Sequence, residues 1–200
     1  TNIELRKREE KRVINYKYIG ILFRTYIIIE VEDEIYLIDQ HAAHERVLYE
    51  QIKENYKKHI QPNSQLMLIP EVVTLTHQEM EFVRENKEML VNIGFDIEEF
   101  GENTLKINGI PDLEYRAKTT NIFLDILDEM LTNQRTSIKD IEERFIATVA
   151  CKAAVKANMD LTRQEVDKLI QNLLSLNNPY TCPHGRPTTI KISREDLKIC

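Results

Sequence analysis

An acid, an imidazole and a second acid fall within seven residues in the stretch Asp39-Gln40-His41-Ala42-Ala43-His44-Glu45. The stretch follows the apolar run Ile35-Tyr36-Leu37-Ile38 and opens a helical pattern that reaches Tyr56, so its acids and imidazole sit where a strand hands over to a helix. Strand ends in mixed α/β domains often carry chemistry, because the strand fixes the backbone while side chains point into a crevice. With a helix from Ala42, His41 and Glu45 are spaced i, i+4 and face the same way, and Asp39 can turn toward the same spot. Glu50, five positions after Glu45, points off that face and is not placed among the ligands.

Two later stretches supply donors of another kind. Cys182-Pro183-His184-Gly185-Arg186-Pro187 is a stiff loop with a thiol and an imidazole two apart, and Ala150-Cys151-Lys152 puts a second thiol in a helical run. Asp39, His41, Glu45, Cys151, Cys182 and His184 are therefore the candidate metal ligands. Thiolate and imidazole suit zinc, while carboxylates also accept magnesium or manganese. Six donors exceed the four of one closed zinc site, which leaves room for a second, adjacent ion of the kind used in phosphodiester hydrolysis. Each residue alone has a plainer reading: Asp39 as a helix cap, His41 as a packed imidazole, the cysteines as small core residues. The set is what favours a metal site. Arg186 and Lys152 are free to meet a phosphate or a carboxylate. His44 and His59 read as solvated, and His77 as a cap-region residue.

The elements that must position these groups are legible in outline. Tyr16 to Phe23, Tyr26 to Val31 and Glu34 to Asp39 read as strands, followed by the helix Ala42 to Tyr56. Leu66 to Ile69 and Val72 to Leu75 are extended and interrupted by Pro70, and Thr76 to Ile93 is a helix stopped by Gly94. Phe95 to Phe100 and Thr104 to Asn108 form a hairpin around Gly101-Glu102-Asn103, and Phe123 to Leu131 mark an amphipathic helix. Ser137 to Asn158 is helical, Thr162 and Glu165 fit a capping box before another helix, and Thr188 to Ser193 is a last strand. The fold class is α/β, in the α+β sense. The metal-competent residues lie near both ends of the chain, which implies one discontinuous subdomain, residues 16–66 plus 137–200, interrupted by a second at 67–136. Residues 1–15 read as the end of a linker.

Composition narrows the class. The chain has 200 residues, 42% hydrophobic and 30% charged, which is ordinary for a folded domain. No apolar run reaches the length of a membrane span. A net charge of −6 lacks the basic footprint of a free-standing nucleic-acid binder, so any DNA contact needs a local patch or a partner. Three cysteines, two of them in motif-like surroundings, argue against a disulfide framework and for a reducing cytoplasm. Gln65-Leu66-Met67-Leu68-Ile69-Pro70 reads either as an extended peptide for an apolar groove or as an edge strand broken by proline, and spacing alone favours the strand.

Taken together, the run from Asp39 to Glu45, closed by Glu50, resembles the nuclease signature of MutL-type DNA mismatch repair proteins. Ala150-Cys151-Lys152 and the Cys182 to Pro187 loop are similar to that family's two other C-terminal motifs, in the family's order. The resemblance covers nearly everything after Asn15 and points to a bacterial MutL from a lineage without methyl-directed strand marking. It implies a homodimerisation and latent endonuclease region that nicks one strand of duplex DNA. It also implies bound Zn2+, activity with Mn2+, and ATP acting only through an N-terminal ATPase of the GHKL type. Asp39, His41 and Glu45 match the catalytic positions, and with Cys151, Cys182 and His184 the metal positions. Gln40, Glu50, Lys152 and Arg186 match supporting positions. Gln65, Met67, Leu68 and Pro70 resemble the family's contact with the replication sliding clamp. The mismatch-recognition protein MutS would be met through the full-length protein, in the cytoplasm and at the nucleoid, with no membrane involved. On this view residues 67–136 are a regulatory subdomain. Lys152 stands where many relatives have arginine, and the family's Phe-x-Arg-like tail is not among the residues up to Cys200.

Overall fold

The computed structural model describes residues 15–58, 64–112, 121–132, 138–154 and 160–198. The chain opens with the strands β1 (Lys17–Leu22), β2 (Tyr26–Val31) and β3 (Glu34–Asp39), and then helix α1 (Gln40–Lys57). Next come β4 (Ser64–Thr74), the helices α2 (His77–Glu85) and α3 (Lys87–Ile93), and the hairpin β5 (Asp96–Glu99) and β6 (Thr104–Pro111). Helices α4 (Asn121–Thr132), α5 (Ile138–Ala153) and α6 (Arg163–Leu174) lead to the last strand, β7 (Thr189–Ser193). The strands form two sheets, in the orders β1-β2-β3-β7 and β4-β6-β5. This is the mixed α/β class expected from the pattern of elements.

The first sheet is antiparallel throughout, and its register aligns the ends that matter. Leu22 pairs with Tyr26, Tyr26 with Asp39, and Ile38 with Thr189. The end of β1, the start of β2, the end of β3 and the start of β7 thus lie at one end of the sheet. One face is covered. Ile27, Ile29 and Ile38 are fully buried against Ala43 and Val47 of α1 and Val166, Leu169, Ile170 and Leu173 of α6. Because side chains alternate along a strand, Ile28 and Leu37 point away from that core. They align with the 54%-exposed Ile190 in one cross-strand row, and among the described residues they belong to neither core cluster.

Helix α1 belongs to both cores. Its Leu48, Tyr49 and Ile52 pack in the larger cluster with Phe95, Phe123, Phe145 and Val149. Phe95 and Phe123 meet edge to face with ring centres 5.3 Å apart, the arrangement favoured by the aromatic quadrupole. Across the seam between α1 and α5, Tyr49 Oη donates to Glu143 at 2.7 Å and Tyr56 Oη to Glu142 at 3.1 Å. Lys53 closes on Glu143 at 2.7 Å. The helix carrying the first motif is thus fixed to the helix carrying Cys151.

Local chemistry moves three boundaries away from the expected ones. Helix α1 begins at Gln40 rather than Ala42, because the Asp39 carboxylate caps it. The expected single helix from Thr76 to Ile93 is two helices joined at Asn86, whose side-chain amide donates to Phe82 O at 2.9 Å and competes with the helix ladder. The two extended runs around Pro70 are one strand. β4 is a sheet edge, where a missing N–H is tolerated, and its register shifts between Leu66 and Glu71. Ser64 to Leu66 pair with Pro111, Ile110 and Gly109 of β6. Helix α6 starts with the Thr162–Glu165 capping box, as its sequence requires. His59 and Cys200 lie outside the described residues, as do 1–14 of the linker segment.

Candidate metal centre

The candidate centre forms where the first motif enters α1. The Asp39 carboxylate accepts hydrogen bonds from the N–H groups of His41 and Ala42 at 2.9 and 3.0 Å through Oδ1. This satisfies two of the donors that a helix start leaves open, and it sets the rotation of the first turn. His41 and Glu45 then fall on one side of the helix, as their i, i+4 spacing requires. His41 Nε2 lies 3.1 Å from Glu45 Oε1.

Glu45 is the hub. It is only 2% exposed, although a carboxylate is seldom buried without partners. Cys151 Sγ, from α5, donates to Glu45 Oε1 at 3.1 Å. His184 Nδ1 lies 3.9 Å from Glu45 Oε2, and that buried oxygen accepts no hydrogen bond. Among the described residues, Glu45, Cys182 and His184 offer three ligand atoms within 4.8 Å of one another. Four of the six candidate ligands are therefore gathered about a fifth, Glu45, from α1, α5 and the loop before β7. The sixth, Asp39, stands at the helix start as its cap.

The loop that delivers Cys182 and His184 is held by its own backbone. Cys182 N donates to Arg186 O at 2.8 Å, and Gly185 N donates to Cys182 O at 2.9 Å. Gly185 has φ of 81°, a left-handed turn that glycine adopts without strain. Thr188, itself buried, donates through its hydroxyl to Pro179 O and accepts from Asp39 N at 2.8 Å. The last contact bonds the loop to the residue that caps α1, so the two motifs share one frame.

Charges in the centre respond to burial and to one another. Burial pushes the Glu45 carboxyl up, but hydrogen bonds from His41 and the Cys151 and Cys182 thiols outweigh it and bring it down to about 2. The same carboxylate works against the thiols. Burial and then Glu45 push Cys151 up to about 12, and burial raises Cys182 as well. Without a cation the site thus holds one carboxylate and two protonated sulfurs. A divalent ion reverses that preference, because thiolate is the ligating form. An oxygen left without a hydrogen bond beside a thiol and an imidazole fits such an ion, and sulfur and imidazole donors suit zinc in particular.

The supporting residues divide by position. Gln40 is buried, and its N–H donates to Thr25 O at 3.0 Å. Glu50 pairs with Arg46 at 2.5 Å. Lys152 faces α4, 3.7 Å from Glu129 and 4.0 Å from Asp125. Arg186 is exposed beside the loop. His44, expected to be solvated, is instead fully buried, and burial with His41 nearby brings its imidazole down to about 4. The reason is that α1 is packed against the sheet, α5 and α6, leaving only His41 and Arg46 of its first turns part-exposed. The phase of Ala43, Val47 and Leu48 was the signal that could have placed His44 inside. Of the sliding-clamp set, Gln65, Leu68 and Pro70 are exposed, Leu68 at 99%, while Met67 packs on the larger core.

Fold and centre together define a mixed α/β module that brings Glu45, Cys182 and His184 within ligating range of one another, with His41 and Cys151 on the same carboxylate. The family described as "MutL C terminal dimerisation domain" matches residues 19–161. DNA mismatch repair protein MutL of Clostridium botulinum (strain Loch Maree / Type A3) is 45% identical over 185 residues, 92% of this chain and 28% of that protein. Its namesake in Thermoanaerobacter pseudethanolicus (strain ATCC 33223 / 39E) is 40% identical over 188 residues, 94% of this chain and 30% of that protein. This chain belongs to the MutL C-terminal dimerisation domain family. It spans under a third of the length of these relatives.

Proposed function

We propose that this chain is the dimerisation and endonuclease region of a MutL protein, nicking one strand of duplex DNA during mismatch repair. The observation that carries this reading is the convergence on Glu45 of His41, Cys151, Cys182 and His184. Glu45, Cys151, Cys182 and His184 would hold Zn2+, and Asp39, His41 and Glu45 would serve the Mn2+-dependent chemistry. A divalent ion there supplies Lewis acidity toward a phosphodiester. The chain's own residues do the placing: Glu45 stays ionised, the Thr188–Asp39 bond locks the loop to the helix, and Arg186 is exposed for a backbone phosphate. Gln40, Glu50 and Lys152 support the frame from behind.

Residues 16–66 with 137–200 form the dimerisation and nuclease part in this proposal, and 67–136 the regulatory part. The row Ile28, Leu37 and Ile190 is the surface for a second copy. Gln65, Leu68 and Pro70, on the edge strand, meet the sliding clamp, with Met67 supporting them from the core side. ATP and MutS would act through the portion of the relatives' length that this chain does not span. The working place is the bacterial cytoplasm and nucleoid. Among the described residues no helix is long and apolar enough to cross a membrane.

A second reading is a zinc-stabilised docking module without catalysis, which the capping role of Asp39 favours. Plasmid nicking separates the two. With Mn2+, the wild type converts supercoiled plasmid to open circle and Glu45→Ala does not, while both remain dimeric. Equal, metal-independent cutting by both proteins rejects the nuclease reading. No cutting, with zinc and dimer intact in this chain and in the longer protein, establishes the docking module.

A further inference from the structure

We propose that the tip of the β1–β2 hairpin, Phe23-Arg24, is a DNA-contacting wedge in which Phe23 packs against the bases of the duplex offered to the metal centre. The inference rests on the nuclease reading above. The turn is closed by Thr25 N donating to Leu22 O at 3.1 Å, with φ of 52° at Phe23 and 56° at Arg24. Two left-handed central residues make a hairpin turn for which Asn-Gly is the low-strain pair. Bulky side chains there are strained, and such outliers concentrate at binding sites. Burial of the ring does not offset the strain, because Phe23 is 77% exposed.

The tip is held rather than loose. Arg24 grips Asp160 with Nε at 3.1 Å and Nη2 at 2.6 Å, and Thr25 Oγ1 donates to Phe23 O at 3.0 Å. It is also held beside the candidate centre. Thr25 O accepts from the N–H of Gln40, the residue before His41, and the turn lies at the sheet end where β3 enters α1 and the Cys182 loop enters β7. The turn extends past the last strand pair, Leu22 with Tyr26, rather than standing on the sheet face opposite the core. An exposed aromatic in that position suits base contact. Every base has a face on which a ring can stack, and apolar wedges can insert between base steps.

The test is fluorescence anisotropy on a labelled duplex at low salt, alongside plasmid nicking in Mn2+. The proteins compared are wild type, Phe23→Ala, Phe23→Trp, and the paired change Phe23→Asn with Arg24→Gly. Phe23→Ala is expected to weaken duplex binding about tenfold, with Phe23→Trp near wild type. KM for plasmid rises with it while kcat stays within about twofold. The paired change, which installs the low-strain turn, is expected to raise Tm while weakening DNA binding as Phe23→Ala does. Unchanged duplex binding by Phe23→Ala overturns the proposal. So does loss of the dimer on sedimentation, which would assign the tip to a second copy of the chain. Because anisotropy does not depend on cutting, the wedge is still measured in a wild type that binds duplex without nicking, and absence of nicking in the longer protein as well rejects the nuclease reading. A wild type that binds no duplex overturns the wedge.

Discussion

Glu45 is a buried anion whose two oxygens see different partners, and that asymmetry sets the chemistry of the centre. Oε1 faces the His41 imidazole and the Cys151 thiol, while Oε2 faces His184 without a hydrogen bond. With burial and this carboxylate holding Cys151 up to about 12, a metal-free site keeps its sulfurs protonated at neutral pH. Metal entry must then expel those protons, so affinity falls as pH falls. Two ligating thiols give a slope of about two in log affinity against pH, and Cys151→Ser lowers it by about one. Competition titrations with a zinc indicator across neutral pH measure both slopes, and equal slopes for the two proteins would remove Cys151 from the ligand set. The donors were legible in the sequence because their types are rare together. Their hub was not, since nothing in spacing tells which of two carboxylates turns inward and which caps the helix. Asp39 and Glu45 divide those roles through backbone geometry that only the folded strand–helix junction fixes.

At the scale of elements, the edge strand β4 presents two neighbouring residues to opposite fates. Met67 packs on the larger core, while Leu68 is 99% exposed beside the exposed Ile69 and Leu66. A register shift between Leu66 and Glu71 leaves residues 67–70 outside the paired ladder, with backbone available to a partner. Leu68→Ala should therefore change stability by less than about 0.5 kcal/mol, as surface substitutions do. Met67→Ala, which opens a gap at the core edge, should cost about 1–3 kcal/mol. Urea unfolding reads these, and clamp-dependent stimulation of nicking should be lost in Leu68→Ala. A stable Leu68→Ala protein still fully stimulated by the clamp would show that the segment is only a sheet edge. The sequence pattern identified this strand but broke it at Pro70, because it does not say whether a strand lies at an edge. It also ran α2 and α3 together, because Asn86 can sit in a helix until its amide finds Phe82 O. The Thr162–Glu165 capping box and the Gly94 stop, which act within a few residues, are legible directly, whereas the Thr76–Glu79 box is added by the structure.

For the molecule as a whole, the ligand cluster is built within one chain, while the sheet that frames it carries an apolar row outside both described core clusters. The cross-strand row Ile28, Leu37 and Ile190 lies opposite the core formed with α1 and α6. Apolar sheet surface outside the core is where soluble proteins associate, and the family to which this chain belongs is described by its dimerisation. If this face meets its counterpart, a charge at its exposed edge must be desolvated on association, at a cost of several kcal/mol. Ile190 is 54% exposed in the single chain, so Ile190→Asp should leave the fold intact and act on assembly alone. Sedimentation should show a monomer at micromolar concentration, with unfolding still cooperative and zinc still bound once per chain, because Glu45, Cys151, Cys182 and His184 need no partner copy. Nicking by that monomer then decides whether dimerisation serves cutting through the centre itself or through the placement of two centres on one duplex. A dimer that survives Ile190→Asp would place the interface elsewhere and leave the apolar row to another partner.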